Sequence, residues 1–214
     1  MGCSGQSAYS IAIDTSEAHS GSKSVKVVGG DSCGPLMVNS TAFSSLSNGE
    51  VYGRFYTRFS TAMPFPHSVF AALGFEADGG PLGNNASEYL QMAAIADGTT
   101  PIMEWNYMDL ELPQRDGMEL AGNVYPAADT WTCIEFHTSM SQGSVEVWVN
   151  GTAETDMTFV PGTTPLTAID MPWSQGKPTL DVKSVAFGWV EFDTGSNTLW
   201  FDDIAIAGSR IGCP

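Results

Sequence analysis

Polar and apolar residues alternate in short runs along almost the whole chain, and no stretch keeps a helical period beyond two turns. Segments 24–28, 51–59, 68–75, 89–94, 131–138, 145–149, 184–192 and 198–206 each read as a strand, because alternation sends successive side chains to opposite faces. Between them lie turn formers: Asn48-Gly49, Asp78-Gly79-Gly80-Pro81, Asp97-Gly98, Asn150-Gly151 and Thr194-Gly195-Ser196. Many short strands with such punctuation predict an all-β sandwich of two antiparallel sheets, most simply a jelly roll. Composition agrees: only 15% of residues are charged, while 23 glycines and 12 prolines are spread through the chain. No linker, repeat or low-complexity tail interrupts the pattern, so residues 1–214 are expected to form one domain and a monomer.

The formal net charge is −16, from 8 basic and 24 acidic residues. Such a chain repels phosphate backbones and anionic headgroups, which argues against nucleic-acid and membrane-surface partners. No apolar run reaches the roughly 18 residues a helical membrane span needs. Cys3, Cys33, Cys133 and Cys213 show no Cys-x-x-Cys spacing, and His19, His67 and His137 are scattered, which argues against structural zinc. An even count of distant cysteines predicts two disulfides and a secreted protein, with buried free thiols as the alternative. Met1-Gly2-Cys3 runs straight into polar residues, so any leader is expected to be already removed. Asn39, Asn85 and Asn150 begin Asn-x-Ser/Thr triplets that accept glycans in a eukaryotic secretory pathway.

In 51–59, Val51, Gly53, Phe55, Thr57 and Phe59 share one face, and Tyr52, Arg54, Tyr56 and Arg58 share the other. An aromatic and cationic stripe is an unusual outer face, so it is read as facing a ligand, with plain surface as the alternative. Trp105 and Tyr107 share a face with Asp109, while Glu135 and His137 oppose Ile134 and Phe136. Aromatic planes beside carboxylates and amides suit sugar rings, whose C–H faces stack while hydroxyls hydrogen-bond. Trp148, Trp189 and Trp200 sit among Val, Phe and Gly and are read as core.

The stretches Ala18-His19-Ser20-Gly21-Ser22-Lys23-Ser24-Val25-Lys26-Val27-Val28-Gly29-Gly30, Trp131-Thr132-Cys133-Ile134-Glu135-Phe136 and Val147-Trp148-Val149-Asn150-Gly151 carry a resemblance. It continues through Phe187-Gly188-Trp189, Asn197-Thr198-Leu199-Trp200-Phe201-Asp202-Asp203-Ile204-Ala205-Ile206 and Ser209-Arg210-Ile211-Gly212-Cys213. In this order they resemble the cellulose-induced secreted proteins of fungi and some bacteria. The resemblance implies a jelly roll with a concave cleft, similar to alginate and glucuronan lyases, and a role in plant-cell-wall polysaccharide breakdown. It also implies disulfides Cys3–Cys33 and Cys133–Cys213, and a structural calcium ion near the joined chain ends with Asp203 as a ligand. Two departures stand out. The family's acidic opening strand is expected to be missing ahead of Cys3, and 88–95 is neutral or acidic where the family carries a basic set.

A β-eliminating lyase must neutralise a uronate carboxylate, take the C5 proton and protonate the leaving oxygen. Arg54 or Arg58 would neutralise with help from Gln91, Tyr107 or His137 would act as base, and Tyr56 or Tyr89 as acid. The alternative is a non-catalytic carbohydrate-binding module assisting cellulases, with Tyr52, Tyr56, Tyr89, Gln91 and Trp105 as contacts. Hydrolysis needs two facing carboxylates, for which Glu104, Asp109, Glu111, Glu135 and Glu146 are the available acids.

Overall fold

The structure, a computed structural model, describes residues 9–29, 36–46, 49–62, 67–75, 88–97, 100–109, 116–161, 181–191 and 196–214. Thirteen strands run through these residues: β1 (Ser10–Asp14), β2 (Ser24–Gly29), β3 (Leu36–Asn39), β4 (Glu50–Phe59), β5 (His67–Gly74), β6 (Glu88–Asp97) and β7 (Thr100–Asp109), followed by β8 (Asp116–Ala121), β9 (Thr132–Ser139), β10 (Ser144–Val149), β11 (Thr152–Ala153), β12 (Ser184–Glu191) and β13 (Asn197–Ala207). One sheet has seven strands in the order β1-β2-β13-β4-β9-β10-β11, and the other has six in the order β3-β12-β5-β6-β7-β8. The strand pairs are antiparallel, giving a β-sandwich of jelly-roll type. No helix among the described residues is long and apolar enough to cross a membrane.

The predicted strands are found with ends within a residue or two, except that 89–94 runs on to Asp97 as β6. β1, β3, β7, β8 and β11 are additional; β7 is a full-length strand of which the sequence shows alternation only around Trp105, Tyr107 and Asp109, while the other four are short strands at the sheet edges, where alternation leaves few residues to read. Asn150 and Gly151, at φ 49° and 79°, close the β10–β11 hairpin, where a left-handed pair matches strand twist.

The core lies between the sheets. Phe55 and Phe59 of β4, Phe136 of β9 and Phe201 of β13 meet Phe70 of β5, Trp105 of β7 and Phe187 of β12. Phe59 meets Phe70 edge-on at 5.5 Å between centroids, and Trp105 meets Phe136 in the same manner at 6.2 Å. Gly53 makes room for this packing: a Cβ there would lie 2.1 Å from Cζ of Phe136. Of the tryptophans expected in the core, Trp189 lies there. Trp200 is buried on the outer face instead, under Lys26 and Arg58, and Trp148 lies half-buried beneath Arg210, because each sits opposite polar partners across its ladder.

Candidate functional site

The stripe of β4 points away from the core, as alternation requires, onto the outer face of the seven-stranded sheet. There it meets the chain's own C-terminal segment. Arg54 donates to the carbonyl oxygens of Asp203 at 3.2 Å and Gly212 at 3.4 Å, and the Tyr56 hydroxyl donates to the Pro214 carbonyl at 3.1 Å. Arg58 pairs with Asp129 at 3.0 Å and Glu17 at 3.8 Å while stacking on Trp200. Glu135, opposite Arg54 on β9, is fully buried and accepts from Arg210 Nε, Ile211 N and Gly212 N. The Cys133–Cys213 disulfide ties the same segment down across 80 residues of chain. Cys3 and Cys33 lie outside the described residues.

His137, two positions along from Glu135, stacks on Tyr52 at 4.1 Å between centroids. Its Nε2 lies 2.6 Å from Glu50 and its Nδ1 2.7 Å from Glu146. Both ring nitrogens therefore already face partners. The carboxylates near Tyr52, together with its burial, push the phenol above its ordinary range, burial being the larger cause.

Asp203 follows at a bulge in β13, in the left-handed region at φ 47°. Its carboxylate accepts from His19 Nδ1 and Ser20 Oγ, both at 2.7 Å, and these hydrogen bonds hold it below the ordinary carboxylate range. Neighbouring Asp202 accepts the backbone N–H groups of His19, Ser20 and Asp203. Calcium takes about six to eight oxygen ligands. The described surroundings of Asp203 are a ring nitrogen, one hydroxyl and the neighbouring Asp202 carboxylate, and a calcium ion there stays an expectation of the resemblance. Among the described residues no three His, Cys, Asp or Glu gather as a metal cluster.

The six-stranded sheet presents a different outer face. Leu90, Met92 and Ala94 of β6 belong to the core, as do Met103 and Trp105 of β7. Alternation therefore sends Gln91, Glu104 and Asn106 outward. Gln91 and Asn106 are direct cross-strand partners, and Glu104 stands opposite Ala93. His67 of β5, partnered with Ile95, reaches over this row and places Nε2 3.6 Å from Glu104 Oε1. Ala72 lies beside Gln91, and Ser184 of β12 lies one row further. Gln91, Glu104, Asn106 and Ser184 are each at most 3% exposed. Gln91 Oε1, Asn106 Oδ1 and Ser184 Oγ are buried without a hydrogen-bond partner among the described residues. A buried polar atom left unpaired costs about 1–3 kcal/mol; Trp105 Nε1, Trp189 Nε1 and Arg54 Nε are in the same state elsewhere, and these three oxygens stand out in sharing one outer face.

The predicted site residues thus divide. Arg54, Arg58, Tyr52, Tyr56 and His137 share the seven-stranded outer face, while Gln91 lies on the opposite side of the molecule, on the six-stranded one. Trp105, expected against a ligand, is 1% exposed between the sheets, where a large ring buries more area than any single ladder position outside offers. Tyr89 pairs with Gly74 and Met108, and Tyr107 with Leu90 and Met118, in the same sheet; their side chains lie outside the described residues. His67 and Asn106 join the site without having been expected there. The polar half of the alternation at 104–106 is the signal that points to Asn106.

The chain matches the family model described as polysaccharide lyase-like, Cip1-like, core domain, over residues 2–209. Among solved structures, cellulose induced protein Cip1 is 28% identical, with a TM-score of 0.73 over 99% of this chain and 91% of that one. The endo-β-1,4-glucuronan lyase from the fungus Trichoderma reesei is 11% identical, with a TM-score of 0.63 over 94% of this chain and 87% of its own, a likeness of fold alone. The binding domain of botulinum neurotoxin DC, solved with rat synaptotagmin II, is 10% identical with a TM-score of 0.55, covering 95% of this chain and 43% of that one. No curated protein sequence matches.

Proposed function

The chain belongs to the Cip1-like core-domain family of polysaccharide lyase-like proteins, and from that membership we propose that it recognises a polysaccharide with the outer face of its six-stranded sheet. One observation carries this reading: the buried, unspent oxygens of Gln91, Asn106 and Ser184 lie on that face beside Glu104 and His67. A sugar ring offers hydroxyls that both donate and accept, which is what amides and a serine complete. Secretion is part of the same proposal, supported by the Cys133–Cys213 disulfide, which persists in an oxidising compartment.

Binding without chemistry is the primary reading, because Arg54 and Arg58, the cations wanted for neutralising a uronate, are engaged on the opposite sheet. A β-eliminating lyase is the second. It is favoured by His67, an imidazole beside the buried Glu104 carboxylate, which is a base candidate at the same face. Incubation with neutral glucans and polyuronates, read by retardation in polysaccharide gels and by the ultraviolet absorbance of an unsaturated product, separates the two. Retardation without new absorbance supports binding, absorbance supports the lyase, and neither signal on any plant polysaccharide rejects this function.

A further inference from the structure

We propose that Asn39 is an acceptor for an N-linked glycan when the chain passes through a eukaryotic secretory pathway, and that the glycan guards the open edge of the six-stranded sheet. Asn39 ends β3, and Asn39-Ser40-Thr41 is one of the acceptor triplets in the sequence. All three residues are exposed. The fold uses the oxygen of this amide: Oδ1 accepts from the Thr41 hydroxyl at 3.3 Å and from the Ala42 N–H at 3.0 Å, at the start of the 3-10 turn Thr41–Ser45. Nδ2 has no partner among the described residues, so a sugar attached there leaves both hydrogen bonds intact. Transfer replaces one Nδ2–H bond by an Nδ2–C1 bond and breaks the C1–O bond of a lipid-diphosphate-linked oligosaccharide; the lipid diphosphate leaves and the proton passes to solvent. Asn85 lies outside the described residues, and Asn150 sits in the β10–β11 turn, beside an edge strand of two residues.

The strand that Asn39 ends is the second observation. β3 borders its sheet, with one edge paired to β12 and the other without a partner among the described residues. An open edge is a template for a further strand, and proteins blunt such edges with charge, proline or brevity. β1 carries Asp14, β8 carries Asp116 and Glu119, and β11 has two residues. β3, Leu36-Met37-Val38-Asn39, carries no charge, and Val38 is 52% exposed. Pro35 stands before it in the sequence, and the acceptor triplet stands at its other end. A glycan is bulky and hydrated, so at Asn39 it takes the room that an incoming strand needs. β12 and β5 separate this edge from Gln91 on β6, which places the glycan to the side of the Gln91–Asn106 pair.

The test is production of the full chain in a eukaryotic secretory host behind a supplied leader, which makes the result independent of the chain's own route. Peptides are then mapped after peptide-N-glycosidase treatment in heavy-oxygen water. The Asn39 peptide should carry the heavy-oxygen label in wild type and in Thr41→Ser, and should lose it in Thr41→Ala and in Asn39→Gln. An unmodified Asn39 in wild type, in the medium and in secretory membranes alike, overturns the proposal. The guard is read by light scattering of the purified proteins at equal high concentration. Thr41→Ala should aggregate at least about twofold faster than wild type, and adding Val38→Lys, a charge on the same strand, should return the rate to the wild-type value. Asn39→Gln repeats the measurement in case Thr41→Ala disturbs the fold. A glycan on Asn39 with equal aggregation in wild type and both variants, or faster aggregation that Val38→Lys leaves unchanged, overturns the guard and keeps the acceptor.

Discussion

The two outer faces of this sandwich carry the same kinds of side chain in opposite states. On the seven-stranded sheet, Glu135 accepts three hydrogen bonds, both nitrogens of His137 face carboxylates, and Arg54 and Tyr56 donate to carbonyls of the C-terminal segment. On the six-stranded sheet, Gln91, Asn106 and Ser184 are buried with oxygens that no described residue satisfies. The first face spends most of its polarity on folding, with Arg54 Nε left over, and the second keeps more of it. A polar or aromatic stripe on a strand is therefore no mark of a site by itself. Unspent hydrogen-bonding capacity under cover is the better mark, because folding leaves a buried polar atom unpaired only at a cost of about 1–3 kcal/mol.

If the contrast holds, damage to the first face lowers stability and damage to the second lowers binding. The largest stability loss should follow Cys213→Ser. Freeing a loop closed across 80 residues costs about 4 kcal/mol in the chain-entropy model, whose mechanism is disputed. Denaturant unfolding should show the loss, with glycan affinity measured below the transition little changed. Next comes Glu135→Ala, which strips three donors of a fully buried carboxylate and should cost about 3 kcal/mol. A loss under about 0.5 kcal/mol would mean that the C-terminal segment is held elsewhere and that the first face contributes less to folding than its geometry indicates.

A smaller effect belongs to Glu50. Burial raises its carboxyl, but hydrogen bonds from Ser139 and His137 outweigh burial and leave it below the ordinary range. A depressed carboxyl contributes stability that is fully present above its unfolded pKa and lost as pH falls through the folded one. The acid limb of the melting profile, below about pH 4.5, should therefore flatten in Glu50→Gln, by about 1 kcal/mol or less at this partly exposed site. A wild-type limb and a Glu50→Gln limb that run parallel would remove Glu50 from the account.

Much of the first face is legible in the sequence and most of the second is not, for a physical reason. Alternation separates Phe55 and Phe59 from Tyr52, Arg54, Tyr56 and Arg58, and the structure keeps that separation. What alternation cannot supply is the sheet each strand joins. β4 pairs with β9 and β13, far along the chain, while β7 pairs with β6 and β8. The stripe and Trp105 thus face different spaces despite similar local patterns. At 104–106 the same rule leaves two choices, Trp105 or the pair Glu104 and Asn106 outward, and the burial of a large indole decides for the second. The coverage of Arg54 by the C-terminal segment is likewise invisible in a strand pattern, since it depends on a contact spanning 158 residues of chain.

The smallest stability change, and the sharpest test of the contrast, is expected of Gln91→Leu. Leucine is one atom shorter than glutamine but branched and of comparable volume, and the site is 1% exposed on a floor that includes Ala72. Removing an oxygen that has no described partner relieves its desolvation cost, so the variant should unfold within about 1 kcal/mol of wild type, on the stable side if anywhere. The same change deletes an amide that donates to and accepts from sugar hydroxyls, and affinity for the polysaccharide should fall about tenfold or more, as one or two hydrogen bonds in a covered site are lost. Binding then falls while stability holds, the converse of what Glu135→Ala should show. Should Gln91→Leu instead destabilise to the same extent as Glu135→Ala, its amide has partners that matter to folding. The six-stranded face would then serve the fold just like the seven-stranded one, and the site would have to be sought elsewhere on the molecule.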